Sequence, residues 1–173
     1  VQPTVDDVNN AVQTALKHKG YKYEIAFFGG SFTAVEREYM ISLLETAYEY
    51  VRDGRVNGIR ISTRPDCIDE EILDILNKYG VTSIELGAQS MDDEVLKANF
   101  RGHTSADVEN ASKLIKKYGF ELGLQMMTGL YLDTDEKAIK TAKKIIGLQP
   151  ATVRIYPTVV LKGTYLAKLY EDE

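Results

Sequence analysis

The sequence predicts an α/β fold built on a parallel sheet. Three observations carry this. Hydrophobic spacing switches repeatedly between a helical period and a strand-like one. An opening helix is followed by five strand–helix units, with no linker or low-complexity stretch between them. Capping residues and glycines punctuate the boundaries. Alternation on that rhythm implies right-handed crossovers between parallel strands. An open doubly wound sheet and part of a (β/α) barrel both fit the pattern. A closed eight-stranded barrel takes about 250 residues, more than the 173 present. The chain opens on a helix with no strand to feed it, which favours a partial (β/α) barrel whose first strand is missing. Residues 1–173 are then one domain, truncated at both ends.

The elements follow in order. Residues 4–19 read as a helix, with Thr4 and Asp7 as a capping pair and Val8, Val12, Ala15 and Leu16 on one face. Residues 23–28 read as a strand ending in Gly29-Gly30. A long helix over 34–53 takes Thr33 and Glu36 as its caps and carries Met40, Leu43, Leu44, Ala47 and Val51. Strand 58–62 precedes helix 69–79, which Gly80 closes. Strand 83–87 precedes a short helix capped by Ser90 and Asp93. A longer helix then starts at Thr104 and Asp107 and ends at Gly119. Strand 122–127 leads to helix 134–146, closed by Gly147. Strand 152–156 is the last, and helix 164–170 follows it.

The bulk properties exclude some functions. A net charge of −5 without a dense Lys/Arg block argues against an electrostatic grip on nucleic acid by these residues alone. The single cysteine, Cys67, allows no internal disulfide, which fits a reducing, cytoplasmic location. No apolar run is long enough to span a membrane.

In parallel α/β folds ligands bind at the carboxyl ends of the strands. Those ends read Gly29-Gly30-Ser31-Phe32-Thr33, Ser62-Thr63-Arg64-Pro65-Asp66, Glu85-Leu86-Gly87-Ala88-Gln89-Ser90, Gln125-Met126-Met127-Thr128-Gly129-Leu130 and Arg154-Ile155-Tyr156-Pro157-Thr158. Paired glycines let a ligand approach the backbone, although a plain tight turn explains them as well. Neither a GxGxxG nor a Walker loop is present. Ser90 has a structural task as N-cap; Gln89 does not, and is the better ligand contact. Glu85 sits in an apolar strand and needs a partner, which Arg64, Arg101 or Arg154 could supply, with Arg60 facing outward. A structural ion pair explains it equally. His103 reads as structural or solvated, and Cys67 as a small packing residue.

Read in order, the five strand ends resemble the radical S-adenosylmethionine (SAM) superfamily. The resemblance is to the branch of Elongator-type catalytic subunits, with oxygen-independent coproporphyrinogen oxidases as relatives. It is most specific over "IELGAQSMDDEVLKANFRG" at 84–102 and "GLQMMTGL" at 123–130, joined by "RISTRPD" and "RIYPTVVLKGTYL". It implies an enzyme in which a CxxxCxxC loop holds a [4Fe–4S] cluster and SAM is cleaved to methionine and a 5′-deoxyadenosyl radical. By resemblance, Gly29, Gly30 and Ser31 belong to the motif at the methionine amino group. Ser62 and Arg64 lie near the ribose or the carboxylate. Gln89 and Arg101 match polar SAM contacts, and Gln125 matches a ribose contact that is often acidic in the coproporphyrinogen branch. Met127, Gly129 and Leu130 match the adenine-side segment, and Tyr156 faces the substrate.

Two departures stand out. The three cluster cysteines are absent, so this chain alone is expected to hold no metal and to be inactive. "GLYLD" replaces the usual Gly-Leu-Pro-Gly turn, which places the loop at Tyr131 and Leu132 in question. The resemblance implies a tRNA or a tetrapyrrole as substrate, together with an electron donor. Coproporphyrinogen oxidation is the lesser choice, and a cofactor-free binding or scaffold module is the alternative of another class. A barrel aldolase would need a lysine at a strand end, and none is there. Without a first strand, 23–28 becomes a pairing-prone edge. A homodimer through it, or cover from a terminus, is expected.

Overall fold

A computed structural model describes residues 2–171. Its helices are α1 (Val5–Ala15), α2 (Arg37–Arg52), α3 (Glu70–Lys78), α4 (Asp93–Ala98), α5 (Ser105–Lys117), α6 (Asp135–Gly147) and α7 (Tyr165–Glu171). Its strands are β1 (Glu24–Phe27), β2 (Gly58–Thr63), β3 (Val81–Gln89), β4 (Glu121–Thr128) and β5 (Thr152–Pro157). The strands form one sheet in the order β1-β2-β3-β4-β5, with every neighbouring pair parallel. A doubly wound sheet reverses its order at a switch point. This one does not, so successive right-handed crossovers place the helices on a single face. The barrel-type architecture is the one the chain adopts.

Strand pleating then divides the residues between two faces. Ile59, Ile61, Ile84, Leu86, Leu122 and Leu124 point to the helices, where Leu43, Leu44, Leu73, Leu76, Val108 and Ile115 complete the core. Each such side chain contributes about 1.5–3 kcal/mol of burial. The opposite face carries Glu24, Arg60, Ser62, Glu85, Gln125 and Arg154. Contacts between distant strands show that this face is concave. The Arg154 guanidinium of β5 lies 5.0 Å from the centroid of the Phe28 ring, just beyond β1 at the far side of the sheet. Arg60 of β2 reaches both Glu24 of β1, at 3.2 Å, and Glu121 of β4, at 3.7 Å. The sheet is a curled half-barrel with a polar lumen.

Several boundaries differ from the sequence reading. The Thr4–Asp7 and Thr104–Asp107 capping boxes form as expected. Asp7 and Asp107 are both held below the ordinary carboxylate range by hydrogen bonds from their threonines. Helix α2 begins later than expected. A single turn over Phe32–Ala34 intervenes, and Glu36 is itself the N-cap, accepting from the N–H groups of Glu38 and Tyr39. Thr33 turns away to bond elsewhere. Asp92, not Ser90, caps α4; the Ser90 hydroxyl accepts from the Asp92 N–H at 3.1 Å instead. Gly147 lies inside α6, and Gln149 takes the left-handed conformation after it, with φ 52°. The opening helix stops at Ala15, because Lys17 and His18 switch to the tighter i→i−3 bonding.

Among the described residues β1 pairs only with β2. Its outer edge borders a cavity of about 640 Å³ between β1 and α1, lined by Val8, Val12, Leu16, Ile25, Phe27 and Val35. Gln2 and Pro3 line part of this cavity.

Candidate functional site

The carboxyl ends of the strands form a rim whose parts are tied together by side-chain hydroxyls. Gly29 and Gly30 follow β1 with φ of 100° and 149°, and open space surrounds the position of a Cβ on either. Glycine is required here by conformation, not by crowding. Ser31 anchors the loop. The Arg64 N–H donates to Ser31 Oγ at 3.1 Å, and Ser31 Oγ is 2.9 Å from Thr63 Oγ1. Thr63 Oγ1 is 2.6 Å from Thr33 Oγ1, which donates to the Cys67 carbonyl at 2.7 Å. A hydroxyl has one hydrogen to give, so the direction is fixed along the chain: Ser31 donates to Thr63, and Thr63 to Thr33. This relay locks the glycine loop of β1 onto the end of β2.

The two rim arginines differ in their pairing. Arg64 is bound by Asp66 in two contacts, one of them Nε to Oδ1 at 2.9 Å. That bonding raises the arginine above its ordinary value and lowers the aspartate below its own. Arg101 has no carboxylate partner among the described residues. Burial pushes its guanidinium down from the ordinary value. Among the described residues its Nη2 donates only to the soft sulfur of Met127, at 3.1 Å, and its buried Nε has no partner. A buried donor left unmade costs about 1–3 kcal/mol.

Gln89 ends β3 at a shift of register against β4, with a left-handed φ of 64°. Its amide nitrogen lies over Gly87, 2.7 Å from where a Cβ would stand. Gly87 is therefore the residue that lets Gln89 fold back over the rim. Gly129 follows β4 with φ 72°, and Leu130 is buried beneath the loop. The departure at "GLYLD" is visible as strain. Leu132 has φ 62°, a conformation that suits glycine. Asn99 holds the turn by donating to the Tyr131 carbonyl at 2.9 Å and accepting from its N–H at 3.2 Å.

Below the rim, Glu85 occupies the centre of the lumen at 1% exposure. Arg154 is its expected partner, Nη2 standing 2.8 Å from Oε1. The contact is an ion pair, and Oε1 accepts no hydrogen bond among the described residues. Arg60 is the second partner, at 3.5 Å; it turns into the lumen and not outward, a correction to the sequence reading. Its position alternates with Ile59 and Ile61, the same signal that singled out Glu85. Arg64 and Arg101 do not reach Glu85. Gln125 Nε2 donates to Glu85 Oε2 at 2.8 Å and to Ser62 Oγ at 3.3 Å.

The structure thus brings Ser62, Glu85 and Gln125 into one cluster and Ser31, Arg64 and Thr63 into a second. Arg101 and Met127 form a third. Tyr156 is an exposed residue of β5 paired in register with Met127. Two residues escaped the sequence reading. Phe28 lies against Arg154, and Gly123 supplies the space that Glu85 fills: a Cβ there would stand 2.8 Å from Glu85 Cγ. His103 is structural, with Nε2 3.1 Å from the Ala88 carbonyl. Cys67 is half-buried.

A parallel half-barrel with a polar lumen and glycine-bearing strand tips places the chain among barrel-type α/β proteins, in which ligands bind at the carboxyl ends of the strands. Residues 1–145 match the radical SAM superfamily, and the chain belongs to it. It is similar to an uncharacterized protein, MJ0486, of Methanocaldococcus jannaschii, with 35% identity over 89% of this chain and 48% of that protein. Human Elongator complex protein 3 is 32% identical over 91% of this chain and 32% of its own length. A solved structure of Elp3 from Methanocaldococcus infernus superposes with a TM-score of 0.80 at 27% identity, over 97% of this chain and 44% of that one. The chain spans about half, or less, of the length of these curated relatives.

The family implies two groups, and the residues fit one of them. The residues are compatible with SAM: Arg101 is a half-buried cation with no carboxylate partner among the described residues, Gly29 and Gly30 leave open backbone, and Gln125 has a spare acceptor. The iron–sulfur cluster does not fit. It needs several thiolates, and the chain has one cysteine. Among the described residues no group of three His, Cys, Asp or Glu side chains could hold a metal. Nor is any described helix long and apolar enough to cross a membrane.

Proposed function

We propose that this chain is the SAM-binding barrel wall of a radical SAM enzyme that modifies RNA, with tRNA as the substrate class. The observation that carries the cofactor reading is Arg101, a half-buried guanidinium with no carboxylate partner among the described residues, set against Met127 at the end of β4. Arginine stays charged in such a setting, and the methionyl carboxylate of SAM is the anion of matching size. Gly29, Gly30 and Ser31 receive the amino end. Ser62, Gln89 and Gln125 offer polar contacts along the ribose, and Arg64, already engaged by Asp66, lends charge more than free donors. Met127, Gly129 and Leu130 form the adenine side, and Tyr156 looks toward the substrate.

When bound, SAM would supply one-electron chemistry at its sulfonium, given an electron from a source outside these residues. The chain's own contribution is to bind, orient and shield the cofactor, since reactive chemistry requires exclusion of water. The RNA part rests on relatives named as tRNA uridine(34) acetyltransferases, such as that of Dehalococcoides mccartyi at 26% identity.

Calorimetric titration of SAM into the chain tests the cofactor reading. Arg101→Met is expected to weaken binding at least tenfold, or about 1.4 kcal/mol, as loss of a charge-assisted bond does. Unchanged affinity would remove Arg101 from the site and the main support with it. For the substrate, bulk tRNA should stimulate 5′-deoxyadenosine formation in an anaerobically reconstituted protein that joins this chain to a three-cysteine loop. Stimulation by coproporphyrinogen III instead would reassign the substrate.

A further inference from the structure

A barrel interior is ordinarily filled with branched apolar side chains. Glu85 stands in this one instead, 1% exposed, and the sheet is built around it. Gly123 on the neighbouring strand leaves it room, and Arg60 and Arg154 face it from β2 and β5. A buried ion pair is weak as a stabilising device, because desolvation offsets the attraction. Stability alone is a poor reason for this arrangement.

Its consequence falls on Gln125. A primary amide presents donors on one side and an acceptor on the other, and the two are nearly isosteric. A carboxylate flanked by two guanidinium groups can only accept. Gln125 must therefore turn its NH2 toward Glu85, where Nε2 donates at 2.8 Å, with a second donation to Ser62 Oγ at 3.3 Å. Both N–H groups are used. Oε1 is turned away from this cluster and accepts no hydrogen bond among the described residues.

We infer that Glu85 is a positioning residue: it fixes the Gln125 amide with its carbonyl oxygen free, as the acceptor for a ribose hydroxyl of a nucleoside ligand. The inference rests on the cofactor reading given above and adds how the rim discriminates ribose. Without Glu85 the amide is free to flip, and its NH2 competes for the same place. One neutral hydrogen bond is worth about a fivefold preference.

Swapping the two groups separates positioning from structural support. Ligand-detected NMR or calorimetry compares adenosine with 2′,3′-dideoxyadenosine on the unsubstituted chain, on Glu85→Gln, and on Glu85→Gln/Gln125→Glu. The readout is the ratio of the two affinities on one protein, so a general loss of folded material cancels. The unsubstituted chain is expected to prefer adenosine about fivefold and Glu85→Gln less than about twofold. In the double variant the amide introduced on β3 donates to the carboxylate introduced on β4, whose second oxygen faces the ligand, and the preference returns. A preference that survives in Glu85→Gln, or fails to return in the double variant, overturns the inference alone. Absence of binding or of any preference in the unsubstituted chain overturns the cofactor reading and this inference with it. If Glu85→Gln does not fold, the double variant decides by itself: preference kept supports the inference, preference lost overturns it.

Discussion

The lumen and the rim of this half-barrel are built on opposite principles. In the lumen the polar groups face one another at close quarters. Glu85 meets two arginines and a glutamine, and the glycine beside it has no room for a methyl group. At the rim space is open. A methyl group added at Gly29 or Gly30 would meet no described atom within 4 Å, Leu132 sits in a conformation made for glycine, and Arg101 lacks an acid among the described residues. A crowded polar floor beneath an open lip with a donor left unmade suits the proposed cofactor site. Buried polar groups rigidify when satisfied, and strain or unmade bonds collect where a ligand completes the set.

The contrast makes glycine the sharpest probe. Gly123→Ala drives a methyl group within 2.8 Å of Glu85 Cγ and 2.9 Å of Thr152 Oγ1. It should cost about 2 kcal/mol in urea unfolding, as overpacking does. Gly29→Ala meets no atom and should cost about 1 kcal/mol, through its positive φ alone. Equal costs at the two positions would erase the distinction between floor and lip. A smaller effect of opposite sign is expected at the strained turn. Leu132→Gly relieves a left-handed leucine in the turn held by Asn99 and should raise stability by about 0.5–1 kcal/mol. A destabilised variant would mean that the leucine side chain, 43% exposed, packs more than its exposure indicates.

The smallest change in stability is expected at the sheet edge. β1 pairs on one side only among the described residues, and open edges recruit further strands. Sedimentation should show concentration-dependent self-association. Ala26→Lys, at an exposed position of that edge, should weaken it while shifting unfolding by less than about 0.5 kcal/mol. A chain that is monomeric at all concentrations would show that the flanking α1 already guards the edge.

Much of this is legible in the residues. Two of the expected capping boxes, the order of strands and helices, and the cluster of strand-end residues follow from local rules: spacing, side-chain oxygens before helices, glycines after strands. The departures also have physical causes. Thr33 has a hydroxyl three residues before Glu36, as a helix cap would, but that hydroxyl belongs to a relay ending at Cys67, 34 residues on. Ser90 has the right side chain for a cap, yet Asp92 is better placed by the backbone. A charge in a strand usually faces water, which would put Arg60 in solvent. At β2 both faces are covered, one by helices and the other by the curl of the sheet.

By itself, then, the sequence determined what lies within a few residues: which segments are helix or strand, where most of them begin, and which polar groups stand at each strand's carboxyl end. The sequence already favours the partial barrel, and the strand order bears it out. Two things were decided only in three dimensions: the meeting of Phe28 with Arg154 across the lumen, and the joining of Ser62, Glu85 and Gln125 into one cluster. The reason is that curvature and pairing arise from packing between segments far apart in the chain. A residue's local preferences carry its own conformation but not the identity of the groups it will face.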